Sequence, residues 1–292
     1  MVFALSGCGP RSGASGEATP PRIIKLVGAD SMVNVTQAWS EAFATVDRGK
    51  QVDVSGGGSG IGMAALINGS ADVAALIREP KPDEREKFKA RSGHEPRPVL
   101  VGYEALAVIV HRDNPLNGIS IEELAEVFGE NGGIDRWEQL GAEGLGDIVR
   151  LGTHSSVQQD KFCRLVFGVG LDGRIRRGFK SGKSEYGGSG ELSEACGANR
   201  AAIGAVPFGY TRNKVKVLAL AAKKGGQFVE CKAASIQDGS YPLVTRFYLC
   251  TNGAPDSQGE DFVSFALSKS GQQVLKEQGH FPIAPADGAR LK

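Results

Sequence analysis

Residues Ser55-Gly56-Gly57-Gly58-Ser59-Gly60-Ile61-Gly62 lie between a short strand-like run, Val52-Asp53-Val54, and a helical segment, Met63–Ile67. Such a glycine run fits a tight turn at which backbone closes on a neighbour or a ligand. Two further turns share the plan. Gly28-Ala29-Asp30-Ser31 ends a strand-like stretch, Arg22–Ala29, and Ser31 opens a helix with Met32, Val35, Trp39 and Phe43 on one face at helical spacing. Gly152-Thr153-His154-Ser155-Ser156 follows a strand at Asp147–Leu151 and precedes a helix over Gln159–Phe167. Ala71–Ile77 is apolar nearly throughout, as a buried parallel strand should be. Repetition of strand, turn and helix predicts an α/β sheet.

The rest of the chain continues the pattern. Val99–His111, Ala202–Val206 and Tyr241–Thr251 read as strands, and Phe262–Gln278 as one helix. Ser120-Ile121-Glu122-Glu123 is a capping box ahead of a helix over Leu124–Phe128. A chain of 292 residues is comfortable for two domains. With 41% hydrophobic and 23% charged residues it has the profile of a soluble globular protein. A net charge of +1 lacks the basic excess of a nucleic-acid binder. One local basic cluster exists, Arg174, Arg176, Arg177, Lys180 and Lys183, and it reads as a solvated surface or as a rim that draws in an anion.

The three turns carry the chemistry. Each sits at the carboxyl end of a strand where a helix begins, and helix N-termini offer unpaired N–H groups and a partial positive charge to an anion. Serine hydroxyls add short bonds to an anionic oxygen. Ordinary helix capping is the bland alternative, and for Asp30 the choice is between an N-cap and an acceptor for the proton of a monoprotonated anion. No Lys-Ser/Thr follows Ser55–Gly62, so it is not a P-loop, and Gly60-Ile61-Gly62-Met63-Ala64-Ala65 matches a dinucleotide fingerprint only in spacing. No nucleophile elbow with ordered partners supports an enzyme. No cofactor is expected, and cysteine and histidine spacings match no metal site.

Leu5-Ser6-Gly7-Cys8 resembles a bacterial lipobox, followed by a polar, tether-like run to residue 21. This implies a lipid anchor through Cys8 and a periplasmic or cell-surface location. Cys163, Cys196, Cys231 and Cys250 remain, either as free thiols or in one of three pairings.

From about Ile23 to Pro282 the chain resembles the phosphate-binding proteins of bacterial ABC transporters. The resemblance rests on Val54-Ser55-Gly56-Gly57-Gly58-Ser59-Gly60, then Ala64-Ala65-Leu66-Ile67-Asn68-Gly69-Ser70-Ala71-Asp72-Val73-Ala74. His111-Arg112-Asp113-Asn114-Pro115, Trp137 and Ala202-Ile203-Gly204-Ala205-Val206 extend it. It implies a two-lobed type 2 periplasmic-binding fold with a ligand cleft between the lobes. Residues 22–106 with 246–292 would form one lobe and 107–245 the other, with crossings near Ala105–Ala107 and Leu243–Arg246. The implied ligand is phosphate or a similar small oxyanion, and the implied partner an inner-membrane ABC permease. A diverged member with another small ligand, or a sensor or scaffold, is the alternative.

Carried over residue by residue, the family's ligand contacts fall on Ser31 and Met32 in the first turn and on Ser59 beside Gly60 in the second. Where the family has Ser after the third strand, Ile77 stands, followed by Arg78. Where it reads Arg-x-x-x-Ser-Gly-Thr, this chain has Gly152, Ser156, Val157 and Gln158, so only the Ser is kept. Arg78, Arg150 and His154 are the candidates to supply the missing cation.

Overall fold

The computed structural model describes residues 22–169, 175, 178–211, 213–253 and 258–284. Cys8 and its tether, and Arg174, Arg176 and Arg177 of the basic cluster, lie outside the described residues.

Strand β1 (Arg22–Gly28) pairs in parallel with β2 (Lys50–Ser55) and with β3 (Val73–Leu76). Helix α1 (Val33–Val46) connects β1 to β2, and α2 (Ser59–Asn68) connects β2 to β3. All four residues of β3 are buried, as its apolar run requires. Helix α3 (Pro82–Ser92) then leads to β4 (Arg97–His111), the longest strand at 15 residues.

Beyond β4 come β5 (Gly118–Ser120), α4 (Ile121–Phe128), β6 (Val149–Thr153) and α5 (Ser156–Val166). Next are β7 (Ser184–Tyr186), α6 (Ser189–Ala198), β8 (Ala202–Pro207), β9 (Val215–Val217) and β10 (Ala219–Ala221). The chain closes with α7 (Ala233–Gln237), β11 (Val244–Thr251), α8 (Gln258–Leu267) and α9 (Lys269–Glu277).

Among the described residues the main sheet runs β2-β1-β3-β11-β4-β8-β6-β7, with β9 also on β4. The two halves of β4 face different partners. Arg97–Ala105 pairs antiparallel with β11, whereas Leu106–Val110 pairs antiparallel with β8. The sheet therefore changes company at residues 105–106 of β4, where Val244 of β11 lies opposite Ala105.

Each half of the sheet carries its own core. One is built on Trp39, Phe43, Phe247 and Phe262, the other on Phe128, Trp137, Phe162 and Tyr241. Both tryptophans are fully buried, so their indole N–H groups need acceptors. Trp39 Nε1 donates to Gly271 O at 2.7 Å, and Trp137 Nε1 to Ala201 O at 2.8 Å. Met32 and Val35 also point inward, in keeping with the spacing of α1. The C-terminal segment bridges the halves: Phe281 pairs with Tyr103 and packs on Phe208 of the second core.

Three expectations need correction. Ser31 does not open α1; Asp30–Met32 forms a single 3-10 turn, and Val33 starts the helix. The helix expected at 159–167 begins earlier, at Ser156, because Ser155 caps it. The stretch 262–278 is two helices, since Ser268 Oγ accepts from Gly271 N at 3.1 Å and starts α9 afresh. The capping box at Ser120 is present: Ser120 Oγ accepts from Glu123 N, and Glu123 Oε2 accepts from Ser120 N.

The four described cysteines are free thiols. Burial pushes Cys163 up to about 11 and Cys196, Cys231 and Cys250 up to about 12.

Candidate functional site

The first two turns are tied together by backbone contacts that only small residues permit. Gly28 runs so close to β3 that a Cβ there would lie 2.0 Å from Ala75 O. Gly57 and Gly58 take φ values of +123° and +91°, a region that favours glycine. Gly58 N donates to Gly28 O at 2.9 Å, and Gly57 N donates to Asp30 Oδ1 at 2.8 Å. Asp30 thus clamps the second turn rather than capping its own helix, which has no side-chain cap. Ser59 is the first residue of α2, and its Oγ accepts from Ile77 N at 3.1 Å. Ser31 Oγ is shielded from solvent and has no hydrogen-bond partner. The Met32 amide donates to Ala29 O at 2.9 Å inside the 3-10 turn, and its side chain is buried in the core. The amide expected to face a ligand is therefore engaged.

The third turn comes from the other half of the sheet. Ser155 Oγ accepts from Gln158 N and sets the start of α5. Ser156 opens that helix; its side chain lies outside the described residues. Val157 is 41% exposed, and Gln158 Oε1 is buried without a partner.

These pieces meet in one cleft of about 1280 Å³. Ala29, Asp30, Ser31, Ser59 and Gly60 line one side, Val157, Asp160, Lys161 and Arg164 of α5 the other, and Val244–Arg246 of β11 also contributes. A second chamber of about 370 Å³ adjoins it, sharing Asp30, Ser31 and Val157 and adding Gln158, Glu104 and His280. Between the chambers lies a buried ion pair, Lys161–Glu104, whose partners are 7% and 6% exposed.

None of the three cations nominated from sequence is free in the cleft. Arg78 lines it, but its guanidinium is held in a two-point pair by Glu84, at 2.8 and 2.7 Å, and also donates to Glu79 O. Burial would raise the Glu84 carboxyl, yet the hydrogen bonds from Arg78 and the Lys81 amide hold it below its ordinary value. Arg150 gives its donors to Val127 O, Ile134 O and Asp135. His154 is 65% exposed, pairs with Glu185 at 3.0 Å and lines neither chamber.

The cleft takes its positive charge from residues the sequence reading passed over: Lys161 and Arg164 on α5, Lys81, and Arg246 on β11. Arg164 pairs with Asp160, while Arg246 has no carboxylate partner among the described residues. Val157, Lys161 and Arg164 recur at helical spacing, the signal that placed them on one face. Arg246 left no local signal, because only β11 lying between β3 and β4 brings it to the cleft. Among the described residues no group of three or more His, Cys, Asp or Glu could hold a metal ion, and no helix is long and apolar enough to cross a membrane.

Residues 15–270 match the PBP superfamily domain. The chain belongs to that superfamily. It is 28% identical over 93% of its length to the phosphate-binding protein PstS of Pseudomonas aeruginosa PAO1, covering 84% of that protein. Its fold is similar to that of an ABC-type phosphate transport receptor from Vibrio cholerae, with TM-score 0.70, 21% identity, and coverage of 90% of this chain and 100% of that one. It is also similar to PstS from Borrelia burgdorferi, with TM-score 0.71, 21% identity and the same coverage. The architecture is the two-lobed type 2 periplasmic-binding fold.

Proposed function

We propose that this PBP-superfamily chain is the solute receptor of an ABC importer and captures phosphate or a similar small oxyanion between its lobes. The observation that carries the reading is that two helix-initiating turns of one lobe, with Ser31 and Ser59, and the N-terminal turn of α5 from the other, with Val157, border one cleft. Helix starts orient backbone N–H groups toward bound anions, and the basic side chains of α5 and β11 favour negative charge. The names of the relatives, phosphate-binding proteins and a phosphate transport receptor, support the same ligand class.

Within this reading Ser31, Ser59, Gly60 and Ser156 form the anion cradle, Gln158 contacts the guest from the adjoining chamber, and Asp30 holds the two turns of the first lobe in register. The lobes are 22–106 with 246–292 and 107–245, and they close by hinge motion at β4 and β11. The guest is bound and released without reaction, an inner-membrane permease is the partner, and Cys8 carries a lipid that holds the receptor at the periplasmic or outer face of a membrane.

Thermal unfolding with phosphate, arsenate, sulfate, methylphosphonate and a chloride blank tests the core of this proposal. A ligand that binds only the native state raises the melting temperature, by about 2.7 kcal/mol of stabilisation at 100 times its Kd. At least one oxyanion is expected to raise it at millimolar concentration. No shift with any of the four would overturn the reading.

A further inference from the structure

The two chambers differ in sign. The larger carries Arg78, Lys81, Lys161, Arg164 and Arg246 against Asp30, Glu79 and Asp160. The smaller carries Asp30, Glu104 and Glu277 and, among the described residues, neither Lys nor Arg. The buried Lys161–Glu104 pair is oriented along this division, with Lys161 lining the first chamber and Glu104 the second. His280, the imidazole of the smaller chamber, is held below its ordinary pKa by burial against the pull of Glu104, so it is neutral at neutral pH.

The smaller chamber is also short of partners. Ser31 Oγ, Gln158 Oε1 and His280 Nδ1 all belong to residues that line it, and all three atoms are shielded and unpaired. Buried polar atoms are nearly always satisfied, so three orphans around one cavity mark a place where a ligand supplies the missing bonds. Gln158 Oε1 can only accept, and three carboxylates surround the same space. The group that fits is therefore a hydrogen-bond donor carrying positive charge. A bare tetrahedral oxyanion would face the three carboxylates there. Val157, apolar and 41% exposed, lies on the wall common to both chambers, where a short hydrocarbon link would pass.

We propose that the guest is a zwitterion: a phosphonate or phosphate monoester whose short carbon arm ends in an ammonium group. Its oxyanion occupies the larger chamber and its ammonium the smaller, with Gln158 Oε1 and the carboxylates as acceptors. Gln158 and Val157 are then the residues that set specificity, and the absence of an Arg at position 152 is matched by a guest that brings its own counter-charge. The proposal rests on oxyanion capture in this cleft and adds the chemistry of the arm.

Isothermal titration of the purified protein at neutral pH tests it with 2-aminoethylphosphonate, O-phosphoethanolamine, ethylphosphonate, 3-phosphonopropionate and inorganic phosphate. One or both amino compounds are expected to bind at least tenfold more tightly than ethylphosphonate, and the carboxylate-bearing arm should bind most weakly. Glu277→Gln should narrow the preference for the ammonium arm over ethylphosphonate at least threefold; a preference that survives undiminished overturns the assignment of the chamber. Ethylphosphonate or inorganic phosphate binding as tightly as both amino compounds would overturn the zwitterion and leave the oxyanion receptor standing. Absence of binding by all five would remove both.

Discussion

At the residue scale, the cleft is defined as much by engaged groups as by free ones. Ser59 accepts from Ile77 N with its oxygen and keeps its hydroxyl proton to donate. Ser59→Ala should therefore weaken oxyanion binding about tenfold, the equivalent of one net hydrogen bond to a charged group. Titration calorimetry reads this, and unchanged affinity would take Ser59 out of the site. His280 makes a second prediction. Its ring packs on Phe247 with centroids 5.0 Å apart, and Glu104 and Lys161 are the charged groups that act on it. Burial lowers its pKa, so the folded state takes up its proton less readily than the unfolded chain. Its contribution to stability is present above the ordinary imidazole value of about 6.5 and is lost as pH falls below it. The melting temperature of the wild type should fall between pH 7 and pH 5.5 more steeply than that of His280→Gln. Parallel curves would show that His280 is not responsible.

At the element scale, the legible parts were those whose cause is local. The spacing of α1, the apolar run of β3 and the capping box of α4 each need only neighbouring residues to act. Helix α3 escaped because its face has no apolar stripe: Phe88 is its one buried residue. Its helicity rests on Pro82 in the first turn, acidic Asp83 and Glu84 near its start, and basic Lys89 and Arg91 near its end. The single helix expected at 262–278 breaks at Ser268, whose hydroxyl accepts from Gly271 N and caps a new helix. Gly271 presses on this corner, with room for no Cβ beside Phe265 O. Ser268→Ala should cost about 1 kcal/mol by leaving the Gly271 amide without its acceptor. Chemical denaturation measures it, and a value near zero would mean that packing alone sets the corner.

At the scale of the whole molecule, β4 pairs with β11 through its first half and with β8 through its second, and the segment around Phe281 makes a further link through Tyr103. The proposed closure on a ligand would turn about β4 and β11 and leave the lobe cores intact. Small-angle scattering should record a smaller radius of gyration with saturating ligand than without. An unchanged value in the presence of demonstrated binding would argue for a cleft already closed. The sequence alone determined the α/β class, the three glycine- and serine-rich turns and the candidates Ser31, Ser59 and Gln158, because strand period, helix period and turn chemistry act over a few residues. Only the tertiary structure decided which charges are available. Arg78, Arg150 and His154 are each engaged by a carboxylate, Lys161 and Arg164 reach the cleft paired with Glu104 and Asp160, and Arg246 of β11 arrives with no carboxylate partner among the described residues. An ion pair depends on distances across the fold, and no pattern along the chain encodes them.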